Sequence, residues 1–505
     1  MKDVYVRFNG TIDRRNPRDE FLKDKENSVY MRENFLARDG KLKRPVGTVH
    51  QITTTLTGIP TWITRYNTVE IGQISPKSFF YTQDGKAWVI DDQAKTATVV
   101  KELLNKDAYP NSDLFKLGDQ VFNYFVDGEG LYKYDGNNAN NWEKVKLEDS
   151  DGNSVKPTDV KEFQERLCVI SDSYLFISKN LEPDTFDDAT DSIQIQIGKG
   201  RGKNLSLISL GDNLYIFNTE GIYILEGIIS AVASTFWVRQ VDDHKILSGR
   251  TCKKVESAIF FLASDYNVWA FNGSSCEKKT HYEKLEDFIN TSRDMLDKAV
   301  ATYEENYYKL SFVEKGSTYP NLEWWWDSLE DRGDFVRGRN VACYLETEST
   351  VEEVFRQIGK SNEAKILNCV GTAFDTEPIR SKLWTKDITI KKGHNVRFRS
   401  FYLDIEPISA TMRIDVNYLL DGRIGNDVAT SWTQALQGET WDLGQIHIAN
   451  QSQVIHKTQP KIDYARGQSI AFYIDDAKPD TYITIKGMRI DYITKHRKKD
   501  YRVSQ

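Results

Sequence analysis

GDNLYIFNTEGIYILEG, residues 211–227, decides how the rest of this 505-residue chain is read. Gly-Asp opens it, an apolar and aromatic run follows, Thr-Glu-Gly turns, and a second apolar run returns to a closing Gly. Two short runs rich in Ile, Leu, Tyr and Phe around a Gly-containing turn describe a β-hairpin. The same order of features recurs in GDQVFNYFVDGEGLYKYDG (118–136). Weaker copies are ESAIFFLASDYNVWAFNG (256–273), SFFYTQDGKAWVIDD (78–92), RLCVISDSYLFIS (166–178) and NYYKLSFVEKG (306–316). The copies begin near residues 78, 118, 166, 211, 256 and 306, in steps of 40–50 residues. An isolated hairpin is marginal in water, but hairpins repeated on this period are the blade unit of a β-propeller. The expected fold is therefore all-β, a propeller of about six to eight blades followed by a further β domain.

The pattern changes after residue 316. NLEWWWDSLEDRGDFVRG (321–338) carries three consecutive tryptophans, which cannot share one face of a strand because side chains alternate. Core packing of a closing blade accounts for them; the functional readings are a sugar-stacking platform, which would favour a carbohydrate-binding propeller, and a subunit contact through Trp324, Trp325 or Trp326. ESTVEEVFRQIGK (348–360) reads as a short helix or a loop excursion. From Lys382 onward, KLWTKDITI, VRFRSFYLDIEP, TMRIDVNYLLDG and YITIKGMRIDYIT alternate apolar and polar residues, as strands with one buried and one solvated face do. The expected domains are thus 1–48, an N-terminal arm or first strand; 49–375, the propeller; and 376–505, a sandwich-like β domain with a basic tail. In that tail Lys495, Arg497, Lys498 and Lys499 are candidate partner contacts.

Composition narrows the function. Hydrophobic residues make up 39% and charged residues 28%, a globular and not a disordered balance. Aromatics reach 12%, which suits half-buried pleated surfaces. A formal charge of −7 argues against wrapping nucleic acid on a basic surface, although DNA could slide past such a wall without sticking. No apolar run after the N-terminal basic residue suggests a secretory leader, and no run is long enough to predict a membrane span. The five cysteines (Cys168, Cys252, Cys276, Cys343, Cys369) are far apart and read as buried thiols of a reducing compartment.

Catalytic patterns are not legible. The seven histidines show no metal-type spacing with one another, and no G-x-S-x-G elbow occurs. IGKGRGKN (197–204) has the wrong glycine spacing for a phosphate loop and reads as an inter-blade turn. TQDGKAW (82–88) is similar to the Asp-box turn of sialidases, but it is one residue short and occurs once. The expectation is no enzyme, no catalytic residue, no cofactor and no metal.

The order of motifs resembles the β-propeller tail hub or nozzle proteins of short-tailed bacteriophages. In that family an Asn-aromatic, Gly-x-Leu, x-Arg-Pro-Gly segment precedes the propeller. Here Asn34-Phe35, Gly40-Lys41-Leu42 and Arg44-Pro45 correspond, with Val46 inserted before Gly47. Tyr132 to Gly136, Phe163 with Arg166-Leu167, Pro183 with Phe186-Asp187, and Ile195 to Leu205 follow in the family order. So do Leu210 to Phe217, Ile222 to Gly227, Val268 to Gly273, Trp384 to Lys386 and Arg397 to Asp404. WWW at 324–326 replaces a simpler Trp strand, and the last 80 residues correspond to nothing in the family.

The resemblance implies a virion tail protein, assembled in the host cytoplasm as a homo-oligomeric, hexameric ring. That ring would extend the DNA channel below the portal and adaptor proteins and retain, then release, the genome. Its implied partners are the head-to-tail adaptor and portal proteins, tail fibre or spike proteins, and double-stranded DNA in transit, with no membrane span. On this reading residues 1–48 tie the chain ends together or reach a neighbour, Asp39-Gly40 turns the segment, and the basic residues near Arg44 face an acidic partner. The aromatic load supports an alternative, a propeller that binds or hydrolyses host-surface polysaccharide. A third reading is a cytoplasmic scaffold propeller that binds peptides on its top face.

Overall fold

A computed structural model of the chain describes residues 2–8, 11–14, 29–70, 73–91, 94–102, 104–118, 120–134, 142–188, 191–228, 235–346, 356–386, 388–389, 396–405, 415–420, 441–442, 454–458, 466–467, 469–476 and 484–494. Among these, seven four-stranded antiparallel units follow one another, four as separate sheets, two joined in an eight-stranded sheet and one within a ten-stranded sheet. Their first strands are Pro60–Glu70, Asn111–Leu117, Pro157–Phe163, Asn204–Leu210, Lys253–Val255, Val300–Glu304 and Val341–Glu346, which number blades 1 to 7. Five of the six sequence repeats cover the second and third strands of a blade, and 306–316 covers the second strand of blade 6 and the turn after it. These middle strands are the most buried of each blade. Arg166–Ser171 and Tyr307–Val313 are buried at every position, which is why the apolar signal repeats there.

The ring closes on itself. Apolar clusters join blade 1 to 2, 2 to 3, 3 to 4, 4 to 5, 5 to 6 and 6 to 7. A seventh joins blade 7, through Cys343, Leu345 and Ile366, back to Ile63, Phe80 and Trp88 of blade 1. There the first strands of the two blades pair in parallel, Leu345 opposite Ile63. Blade 7 takes only three strands from its own region. Its fourth is Val49–His50, paired with Ile366–Asn368, so a segment from the front of the chain completes the ring. A closed ring of sheets leaves little free strand edge.

The remaining N-terminal strands belong elsewhere. Leu36–Arg38 and Lys41–Lys43 form a hairpin turned by Asp39 and Gly40, both with positive φ. Lys41–Lys43 and Lys2–Val6 pair with Thr484–Thr494. Val29–Glu33 lies between the last strand of blade 6 (Arg332–Arg337) and Ser381–Thr385. One ten-stranded sheet therefore runs from blade 6 through Val29–Glu33 into the C-terminal strands.

Several expectations need correction. Trp324, Trp325 and Trp326 are all buried within the chain and form no contact surface. Trp324 and Trp326 join the core between blades 5 and 6. Trp325 faces the other way, between the Lys309 ammonium (4.3 Å) and the Arg339 guanidinium (4.9 Å), and donates to Glu323. Arg44 is buried too, and its Nε donates to Ser381 Oγ at 3.2 Å. Of 348–360, residues 348–355 lie outside the described residues, and Gln357–Lys360 is a buried strand, paired with both Val341–Glu346 and Ile366–Asn368. Cys276 is half-buried, unlike the other four cysteines. Lys495, Arg497, Lys498 and Lys499 lie outside the described residues. IGKG (197–200) is the inter-blade turn expected of it, with positive φ at Gly198, Lys199 and Gly200.

One buried acid makes stability depend on pH. Glu283 is 1% exposed, and its Oε2 accepts the backbone N–H groups of His281 and Tyr282. Burial pushes its carboxyl up to about 7. An acid whose folded value is raised favours the fold fully below its unfolded value of 4.5, and that contribution is lost as pH rises toward the folded value. The loss amounts to about 3 kcal/mol between those limits. Glu283→Gln keeps an oxygen for both N–H groups and cannot ionise. Denaturant midpoints of the two proteins should therefore diverge as pH rises from 4.5 to 7, with the variant the more stable; parallel curves would refute this.

Candidate functional site: the central channel

The first strands of all seven blades line the axis of the ring, and carboxylates fasten them to one another. Asp113, third residue of its strand in blade 2, accepts the backbone N–H of Glu162 in blade 3 at 2.6 Å and pairs with Lys161 at 2.9 Å. Asp159 holds the same place in blade 3. It accepts the Leu207 N–H at 2.7 Å and the Ser206 hydroxyl at 3.0 Å, both from blade 4. A strand lining an axis has inward N–H groups that no blade satisfies by itself, and these carboxylates supply the missing acceptors.

Inside the ring is a cavity of about 840 Å³ with residues of every blade in its wall. Five acids (Asp113, Asp159, Glu256, Glu304, Glu305) and five bases (Arg65, Lys161, Lys253, Lys254, Arg356) line it, so its formal charge balances. The charges are paired locally as well, Arg356 with Glu305 and Glu304 with Lys309. Burial alone would raise the Glu304 carboxyl, yet Lys309, helped by Arg339 and Arg356, holds it below the usual range. A balanced, internally paired wall neither concentrates a polyanion nor repels one strongly.

Arg250 bridges one end of this channel. It stands between blades 4 and 5, and its Nη2 donates to the carbonyls of Thr61 in blade 1 (2.9 Å) and Ala342 in blade 7 (2.8 Å). Its guanidinium also lies 4.6 Å from the Tyr109 ring centre. The planar, permanently charged fork lets one side chain satisfy two carbonyls on the far side of the ring. Arg250 has no sequence signature, since what it touches is set by ring closure alone.

The candidate contacts read from the sequence do not gather into a site. Among the described ones, Trp324 and Trp326 belong to one core cluster, Trp325 to another, and Arg44 is buried against Ser381. The structure instead brings together three residues whose spacing gave no signal: Asp242 at the end of blade 4, His244 just after it, and Cys276 in the last strand of blade 5.

No family model matches the chain. No curated protein matches it. Among solved structures the chain is similar to the β-propeller domain of Cps50 (Swd1) from Myceliophteria thermophila, at 9% identity and a TM-score of 0.43, covering 64% of this chain and 99% of that one.

Proposed function

We propose that this chain is a bacteriophage virion structural protein, a tail hub or nozzle subunit. Copies in a ring would extend the DNA channel below the portal and adaptor and hold, then release, the genome. The observation that supports it best is the ten-stranded sheet in which Val29–Glu33 joins blade 6 to Ser381–Thr385. Continuous pairing fastens two β bodies without a hinge, and a wall that carries load around a channel needs that stiffness. DNA would pass between copies and not through one propeller. The axial cavity has the volume of a small-molecule pocket, and Arg250 spans one end of it. The polysaccharide reading loses its main support, because the three tryptophans that favoured it are buried.

Quantitative mass spectrometry of density-purified particles from the source culture tests the proposal. A small, fixed ratio of this chain to the major capsid protein is expected, matching one ring per particle. Native mass measurement of the purified chain should return a closed cyclic oligomer. Absence from particles in which other tail proteins are seen would overturn the reading.

A further inference from the structure

We propose that Asp242, His244 and Cys276 form a binding site for a thiophilic divalent cation of the zinc type, clamping the outer edges of blades 4 and 5. Each residue places a donor atom, a carboxylate oxygen, an imidazole nitrogen and a thiol sulfur, within 4.8 Å of the other two. Oxygen, nitrogen and sulfur at one point form a mixed donor set that zinc accepts, with a fourth tetrahedral position left for water. Tetrahedral bonds of zinc to such atoms set the donors roughly 3.3–3.6 Å apart, so side-chain movements of about 1 Å complete the geometry.

The local fold explains part of this arrangement without a metal, and the remainder is what points to one. Asp242 Oδ1 accepts the backbone N–H of His244 at 2.8 Å and lies 2.6 Å from His244 Nδ1. That is an Asx turn, a common way to end a strand, and it accounts for two of the residues. It does not account for Cys276, which arrives from the outer strand of the next blade, is the half-buried cysteine of the chain, and hydrogen-bonds to the Asp242 carboxylate. The imidazole is held as well: its ring lies 4.2 Å from Trp269 of blade 5 at an angle of 51°. A ligand oriented by a neighbouring side chain loses little freedom on binding. The His244 and Asp242 side chains keep 28% and 13% of their exposure, enough for an ion to enter from solvent. Asp243 adds a further negative charge next to Cys276.

The metal–sulfur bond forms to the thiolate, so binding releases the thiol proton to solvent. The bonds would join two blades that otherwise meet through an apolar cluster containing Cys276 itself. A cross-link at the rim of a ring resists the opening of one blade from the next.

Cobalt(II) provides the probe. The reduced, chelator-treated full chain is titrated with Co²⁺ and the near-ultraviolet thiolate-to-cobalt charge-transfer band is followed. One equivalent should bring up that band together with the intense visible absorption of a tetrahedral centre, and Zn²⁺ should bleach both. Cys276→Ser should abolish the charge-transfer band, and His244→Ala should weaken Co²⁺ binding more than the roughly 10–100-fold typical of losing an outer-shell partner. Cys343→Ser, at a buried thiol elsewhere, should leave the band intact. If Cys276→Ser fails to fold, alkylation of the wild-type chain decides: Zn²⁺ should protect the Cys276 peptide from a thiol reagent. Lack of a band at saturating Co²⁺, a band that survives in Cys276→Ser, or a Cys276 that Zn²⁺ does not protect would overturn the site.

Discussion

Arg32→Ala is expected to cost the fold about 3–5 kcal/mol, the range for removing one member of a buried ion pair. Arg32 is fully buried and Asp334 nearly so. Arg32 Nε donates to Asp334 Oδ1 at 2.5 Å and Nη1 to the Phe8 carbonyl at 2.8 Å, while Asp334 Oδ2 accepts the Ala37 N–H at 2.8 Å. The pair therefore ties three N-terminal segments to blade 6, Arg32 holding its own strand and Phe8, and Asp334 holding Ala37. Alanine in its place leaves the Asp334 carboxylate in the core without its counter-charge, and that penalty exceeds the worth of the pair itself. Arg32→Lys should recover only part of the loss, because an ammonium cannot reproduce the fork. The double variant Arg32→Met with Asp334→Leu should recover most of it, since it strands neither charge. Urea midpoints of the four proteins check this. A loss below about 1 kcal/mol in Arg32→Ala would mean that water reaches the pair.

Why Arg32 could not be found in the sequence illustrates what was legible there. The hairpins were, because each is local: apolar runs on either side of a Gly, Asp or Asn turn report their own pairing, and six of seven blades announced themselves in this way. Blade 7 did not. Its middle strands are QIGK and ILN, too short and too polar to stand out, and its last strand, Val49–His50, comes from some three hundred residues away. Val29–Glu33 was likewise opaque. VYMRE alternates no better than a loop, and its Arg and Glu are buried because blade 6 and the C-terminal strands supply their partners. Arg250 and the Asp242–His244–Cys276 group share that limit. They are defined by which blades become neighbours, a property of the closed ring and not of any window of sequence.

The tryptophan triplet gives the sharpest test of core against contact surface. Trp324→Ala should lose about 3–5 kcal/mol, as expected for emptying a fully buried indole site. Gly333 pairs with Trp326 in the next strand, diagonal to Trp324, whose ring lies over it: a Cβ there would lie 2.1 Å from Trp324 Nε1 and 2.4 Å from Cε2. A fused ring packed into the core between blades cannot swing away as a flexible chain end could. Gly333→Ala should thus cost about 2–3 kcal/mol by overpacking alone. In a Trp324→Ala background the same methyl meets empty space, so Gly333→Ala should then cost less than about 0.5 kcal/mol, leaving a coupling of about 2 kcal/mol between the two sites. A residue kept for binding a neighbouring subunit behaves otherwise. Its loss would spare the isolated chain and weaken assembly, and its effect would add to that of Gly333. Denaturant midpoints of the isolated chain for the two single variants and the double variant separate these cases: additive effects, or a Trp324→Ala chain as stable as wild type, would return the triplet to the surface.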